Sequence, residues 1–305
     1  MYTFFNSQFF HFEFLHVIGT APFEGCDIGE CLEAGGSIRI NDAESWFAPG
    51  TRGYAVLTFD GPGQGIFLRQ QDQKMEFPAG APAGTYMRHD WEAVISKALD
   101  RLFSYAAKSP QLHLDVEKVA VFGESMGAYF ALRGSADPRI KACIAMDGFY
   151  DMWDIADSRI PPVFLKAWDT MGDGFFNRVV RSLAKVDFRT RFEFAHARFA
   201  LGLPDFAQST REFKKFTLRN QDGSEYLVQV KCPVFVTGAA DWAYFPAQGN
   251  ATKIHAVMEK LHPGKSKLWI AKGVGSGGLQ AKVAAISVVH NKTFEWLDEV
   301  LARSK

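Results

Sequence analysis
The chain has 305 residues, 47% of them hydrophobic, enough to bury a sizeable core in one large α/β domain or two small ones. Lys plus Arg and Asp plus Glu balance at 34 each, so no net field draws the molecule to nucleic acid or to an anionic membrane. No apolar run approaches the length that crosses a bilayer.

The four cysteines, Cys26, Cys31, Cys143 and Cys232, lack metal-site spacing. Cys26 and Cys31 have no partner pair. Cys143 and Cys232 fall in apolar runs and are expected as buried thiols. No metal and no organic cofactor is implied, and a reducing, cytoplasmic setting fits. The N-terminus is rich in Phe but has no basic region, and Glu13 interrupts it, so no signal peptide is expected.

Residues 1–43 show no clear period and read as an atypical N-terminal segment. From Glu44 the pattern becomes regular. Arg52 to Asp60 reads as a strand, followed by the tight loop Gly61-Pro-Gly-Gln-Gly65, where no Gly-Lys-Ser/Thr supports a phosphate site. Asp60 reads as a turn residue. Asp90 to Phe103 carries Val94, Ile95, Ala98, Leu99 and Leu102 on one helical face.

Val119 to Phe122 is short and apolar enough for a buried parallel strand. Gly123-Glu-Ser-Met-Gly127 follows, then a helix from Ala128 to Arg133. Strand, G-x-S-x-G and helix in that order are the setting of a nucleophile elbow. Ser125 is placed there in a strained turn, and the Met126 N–H at the helix N-terminus is one oxyanion donor.

Ile140 to Met146 is the next strand, with Asp147 at its end. Residues 151–230 change character: aromatics such as Trp168, Phe176 and Phe194 stand among charges with helical periods. This reads as a helical lid insertion whose aromatics pack its core or line an apolar pocket. A hairpin is expected between Phe216 and Val230. The core resumes with a strand from Cys232 to Gly238, a loop carrying Asp241, a helix from Asn250 to Leu261, and a strand from Lys267 to Ala271. A Gly-rich loop at 273–278 and a closing helix from Ala281 to Ala302 complete the chain. The expected organisation is therefore 1–43, then 44–150 as the first half of the core with the elbow, 151–230 as the lid, and 231–305 as the second half.

This order resembles the α/β-hydrolase fold, a mostly parallel sheet with helices on both faces and a helical lid. Arg52-Gly-Tyr-Ala-Val-Leu-Thr-Phe-Asp-Gly-Pro-Gly-Gln-Gly65, Gly123-Glu-Ser-Met-Gly127, Asp147-Gly-Phe-Tyr-Asp-Met-Trp153 and Gly277-Gly-Leu-Gln-Ala-Lys282 narrow the resemblance. They look like fungal hydrolases of polyketide and polyketide–peptide clusters, above all the fusarin-pathway (20-hydroxy-prefusarin) hydrolase family, with cytochalasan-type relatives. Pigment-pathway chain-shortening hydrolases and a bacterial carbon–carbon hydrolase of nicotine breakdown are more distantly similar. The resemblance covers residues 44–303 and implies a hydrolase acting on an apolar polyketide-derived intermediate of fungal secondary-metabolite, mycotoxin-type biosynthesis. Its relatives carry a longer N-terminal part with the first strands and a Gly-rich oxyanion loop. Residues 1–43 do not resemble that part, which leaves the first strands of the sheet and the second oxyanion donor in question.

Serine attack needs a base and an acid to orient it, in the chain order Ser, Asp/Glu, His. Ser125 is the expected nucleophile and Asp241 the acid. Asp147 is an alternative acid or a substrate-binding residue. The expected base position, loop 272–279, holds no histidine. His290 is the nearest downstream, about three turns into a helix starting at Ala281 and roughly 15 Å along its axis. It reaches the site only if that helix starts late or crosses the site edge. His255, His262 and His89 are the other candidates. The partner implied is a small molecule, with no nucleic acid and no membrane, and a homodimer is left open. The alternatives are a non-hydrolytic helper of cyclisation or condensation, and an inactive fragment of a longer enzyme.

Overall fold
The computed structural model describes residues 16–20, 54–59, 61–64, 86–242, 250–279 and 285–302. Its strands are β1 (His16–Thr20), β2 (Tyr54–Thr58), β3 (Asp115–Glu124), β4 (Ile140–Met146), β5 (Val234–Ala239) and β6 (Ser266–Ala271). Its α-helices are α1 (Trp91–Lys108), α2 (Met126–Gly134), α3 (Met152–Arg159), α4 (Pro162–Val186), α5 (Phe188–Leu201), α6 (Phe206–Glu212), α7 (Ala251–Leu261) and α8 (Ile286–Ala302). The chain divides into two compact units, one holding the sheet and the other holding the helices of Asp151–Thr217.

In the sheet unit the strands lie in the order β2-β1-β3-β4-β5-β6. β3, β4, β5 and β6 pair in parallel, while β1 is antiparallel to both its neighbours. The last six residues of β3 are all buried, as an unbroken apolar run demands when both faces of a parallel strand are covered. Ala120, Phe122, Ile144 and Phe235 point to one face, where Val289, Phe294, Trp296 and Leu297 of α8 close over them. Phe235 and Trp296 stack with ring centroids 5.4 Å apart. Each fully buried large apolar side chain of this kind contributes roughly 1.5–3 kcal/mol.

α1 and α2 pack against each other through Trp91 and Phe130, stacked at 3.8 Å. A Cβ on Gly134 would come within 2.5 Å of the Ile95 side chain, so the glycine sets how closely the two helices approach. Arg133 bonds Glu92 at 2.8 Å and lies 3.7 Å over the Tyr226 ring, whose hydroxyl donates to the Arg133 carbonyl at 2.6 Å. These contacts fix the far end of α2, the helix that begins at Met126.

The helical unit has its own aromatic centre. Trp168, Phe176, Val180 and Ala207 are buried together, with Trp153, Phe164, Phe194 and Phe206 packed around them. Gly172 interrupts α4 with φ 74° and ψ −176°, a conformation that a side chain disfavours. Asp173 follows the break and accepts a hydrogen bond from Trp168 Nε1 at 2.9 Å.

Three elements differ from the sequence-based expectation. His16–Thr20 is a strand inside the N-terminal segment, held between β2 and β3. Its five residues carry no usable period, and its register against β3 shifts between Ile18 and Thr20, where Gly19 permits an irregularity. The expected hairpin from Phe216 to Val230 is a single bridge, Arg219 to Glu225, followed by a short 3-10 turn at Tyr226–Gln229. The closing helix begins at Ile286 rather than Ala281; Ala285 precedes it and accepts the Val288 and Val289 amides. Residues 281–284, Asp60, Gly65, Cys26 and Cys31 lie outside the described residues. Cys143 and Cys232 are free and buried as expected, and burial pushes the Cys232 thiol up to about 12 and that of Cys143 higher than an exposed thiol.

Candidate active site
Ser125 stands between the end of β3 and the start of α2 with φ 55° and ψ −113°. A non-glycine residue at positive φ costs of order 1–3 kcal/mol and persists only where its surroundings hold it. Here the Ser125 amide donates to the Met146 carbonyl on β4 at 2.8 Å, and the Ser125 carbonyl accepts from the Ala128 amide at 3.1 Å. The turn is tight enough that a Cβ on Gly123 would sit 1.9 Å from the Gly127 carbonyl oxygen. Met126 opens α2, so its N–H is among the first-turn donors that a helix leaves without a helical acceptor.

Asp147 follows β4 and also has positive φ, 50°. It is 1% exposed. Its amide donates to the Thr237 carbonyl at 3.1 Å and lies 3.3 Å from Thr237 Oγ1, whose hydroxyl in turn donates to Asp147 Oδ1 at 3.4 Å. Thr237 itself is fully buried on β5. Thr237 belongs to no catalytic motif of the sequence. The signal was available: a hydroxyl inside an apolar strand requires a partner once buried.

Asp241 lies two residues beyond β5 and is exposed. Its Oδ2 accepts the Gly273 amide at 2.8 Å, and its own amide donates to the Gly278 carbonyl at 2.8 Å. A Cβ on Gly278 would approach Asp241 Oδ2 to 2.5 Å. Asp241 therefore clasps both ends of the Gly-rich loop after β6. Among the described residues these bonds go to backbone and not to a histidine.

His290 is half-buried in the second turn of α8. With the helix starting at Ile286, it stands four residues in, about 6 Å along the axis rather than 15 Å. His255 Nδ1 is bound to Ser266 Oγ at 2.8 Å and His262 Nε2 to the Leu227 carbonyl at 3.3 Å, so both rings are engaged elsewhere. His89 sits edge-on to Phe216 at 6.3 Å. Among the described residues no three His, Cys, Asp or Glu side chains gather as a metal site.

The sheet order and a serine at positive φ between strand and helix meet an independent match. A model of the alpha/beta hydrolase family fits residues 35–275. The chain belongs to the alpha/beta hydrolase family. Hydrolase LUC6 of Fusarium sp is 45% identical over 250 residues, which are 81% of this chain and 55% of that protein. Alpha/beta hydrolase psoB of Aspergillus fumigatus is 46% identical over 252 residues, 81% of this chain and 54% of that protein. The chain thus spans about half the length of these curated relatives. 20-hydroxy-prefusarin hydrolase FUS2 of Gibberella moniliformis is 31% identical over a 431-residue alignment taking in 99% of each chain. The kinship with fungal hydrolases of the fusarin-pathway type is borne out. Among solved structures, alpha/beta hydrolase GrgF from Penicillium sp. sh18 gives a TM-score of 0.47 at 15% identity, covering 86% of this chain and 84% of that one.

Proposed function
We propose that the protein is a serine-nucleophile hydrolase acting on an apolar, polyketide-derived small molecule of fungal secondary metabolism. Ser125 attacks a carbonyl carbon and passes its proton to a base. The Met126 N–H stabilises the oxyanion, the neighbouring C–O, C–S, C–N or C–C bond breaks as the base hands its proton to the leaving group, and water, deprotonated by the same base, releases the acyl group and regenerates the serine. Asp241 is the acid that orients the base, His290 is that base, and Asp147 borders the substrate. The helices of 151–217 serve as the lid, and the setting is cytoplasmic.

The observation that carries this reading is the Ser125 backbone: a polar nucleophile in a strained conformation, backed by the Met146 carbonyl, at the N-terminus of a buried helix. Hydrolase relatives from fungi support the reaction class. Fluorophosphonate labelling with mass-spectrometric site mapping tests it. The label is expected on Ser125 and is lost in Ser125→Ala; labelling or turnover that survives the substitution overturns the assignment.

A second reading has its own observation. Asp241 is bonded to the Gly273 amide. If no base is oriented, Ser125 is a weak nucleophile, and the oxyanion donor polarises a carbonyl for cyclisation or condensation instead. A folded sample that resists the label while still converting substrate selects this reading.

A further inference from the structure
The balanced charge of the whole chain hides a strongly basic corner. Between Arg178 and Arg191, where α4 turns into α5, five cations face one carboxylate, Asp187. Asp187 is occupied in capping α5, accepting the Thr190 amide at 2.7 Å. Glu193, just beyond, is held by Arg189 at 2.9 Å and Arg159 at 3.4 Å. The same corner exposes apolar side chains: Val186 is 85% exposed, Phe188 59% and Leu183 48%. Phe188 is propped by its neighbours, stacked on Phe192 at 6.1 Å with the Arg191 guanidinium 5.4 Å from its ring centre.

We propose that the α4–α5 corner is a docking surface for an anionic phospholipid bilayer, with Leu183, Val186 and Phe188 entering the headgroup–acyl boundary and Arg181 and Lys185 meeting the phosphates. Apolar tips ringed by cations on long stems fit such an interface, because the stems lie along apolar surface while their heads stay at headgroup level. Juxtaposed basic residues add attraction to an anionic leaflet. Charge decides between this partner and a second copy of the chain. With Glu193 counted beside Asp187 against the five cations, two such corners face to face would set a local charge of +3 against another of +3. No helix among the described residues is long and apolar enough to cross a membrane, so the contact is peripheral. It depends on no role assigned to Ser125.

The test is co-sedimentation of the full chain with vesicles of phosphatidylcholine alone and of phosphatidylcholine with about one-third phosphatidylserine, in low and high salt. Binding is expected to the anionic vesicles only and to fall at least tenfold in high salt, where charges are screened. The double variant Val186→Ser, Phe188→Ser, and separately Arg181→Glu with Lys185→Glu, are each expected to reduce binding at least tenfold. Because these side chains are exposed, unchanged thermal unfolding is the expected control. If a variant unfolds early, Leu183→Ser replaces it. No binding to anionic vesicles, or equal binding by all variants, overturns the proposal. A concentration-dependent dimer that the Val186→Ser, Phe188→Ser variant abolishes, with no vesicle binding, overturns it in favour of a second copy.

Discussion

The amide of Ser125 and the carbonyl of Met146 are 2.8 Å apart, and this one bond joins the strained turn after β3 to the end of β4. Asp147, the next residue, is held in turn by Thr237 on β5. Three strand ends are therefore coupled behind the serine. Replacing Thr237 with Val removes the hydroxyl from a fully buried pair. The expected cost is about 1–3 kcal/mol, read by denaturant unfolding. Fluorophosphonate labelling of Ser125 should slow in the same variant, and labelling at the wild-type rate would break the coupling argued here.

Gly123 has no room for a side chain. An added Cβ would stand 1.9 Å from backbone oxygen, which no side-chain rearrangement relieves. Gly123→Ala is expected to cost roughly 3 kcal/mol or more, or to prevent soluble expression. The check is the unfolding midpoint beside that of Gly275→Ala, where a Cβ meets nothing within 4 Å.

Two substitutions at Asp241 separate clasp from chemistry. Asn keeps an oxygen to accept the Gly273 amide but loses the charge. Ala loses both. Asp241→Asn should leave the melting temperature near wild type while lowering the labelling rate of Ser125 by roughly 100-fold or more, the order expected when the orienting acid is neutralised. Asp241→Ala should lower both. Normal labelling in Asp241→Asn would leave Asp241 as a loop clasp alone and shift the acid to Asp147.

Asp173 carries a pH signature in the helical unit. Hydrogen bonds from Arg211 and then Trp168 hold its carboxyl below the usual range. A depressed folded pKa gives stability that is fully present above the unfolded value, about 3.9, and is lost as pH falls through the folded value. Asp173→Asn should therefore melt below wild type at pH 7, and the difference should shrink by pH 3. An undiminished difference would mean that Asp173 acts through packing at the Gly172 break instead of through charge.

Much of the sheet unit was legible because apolar runs such as Ile140 to Met146 declare buried strands without reference to anything distant. The Gly-Glu-Ser-Met-Gly turn was legible because strand, glycine spacing and helix agree over a few residues. β1 was not, since His16–Thr20 is a strand only by virtue of partners far along the chain. The clasp between Asp241 and the Gly-rich loop was likewise hidden, because it consists of backbone amides that no side-chain pattern records. The start of α8 was misplaced because Ala281 to Ala285 has helix-forming composition, yet Ala285 stands outside the helix as the residue that accepts its first amides. The cationic corner was masked by averaging over the whole chain.

The position of β1 has a consequence for how the protein is made. Its five residues leave the ribosome before either partner, and one of these, β3, follows about a hundred residues later, with His16 opposite Phe122. Until then β1 and β2 form at best a two-stranded ribbon, which is marginal in water. The serine turn sits at the end of that late-arriving neighbour, so it takes shape only after synthesis has passed β3. A nascent fragment ending before β3 is thus expected to lack both a closed sheet and any reactive serine, and to depend on chaperones while its strand edges are open.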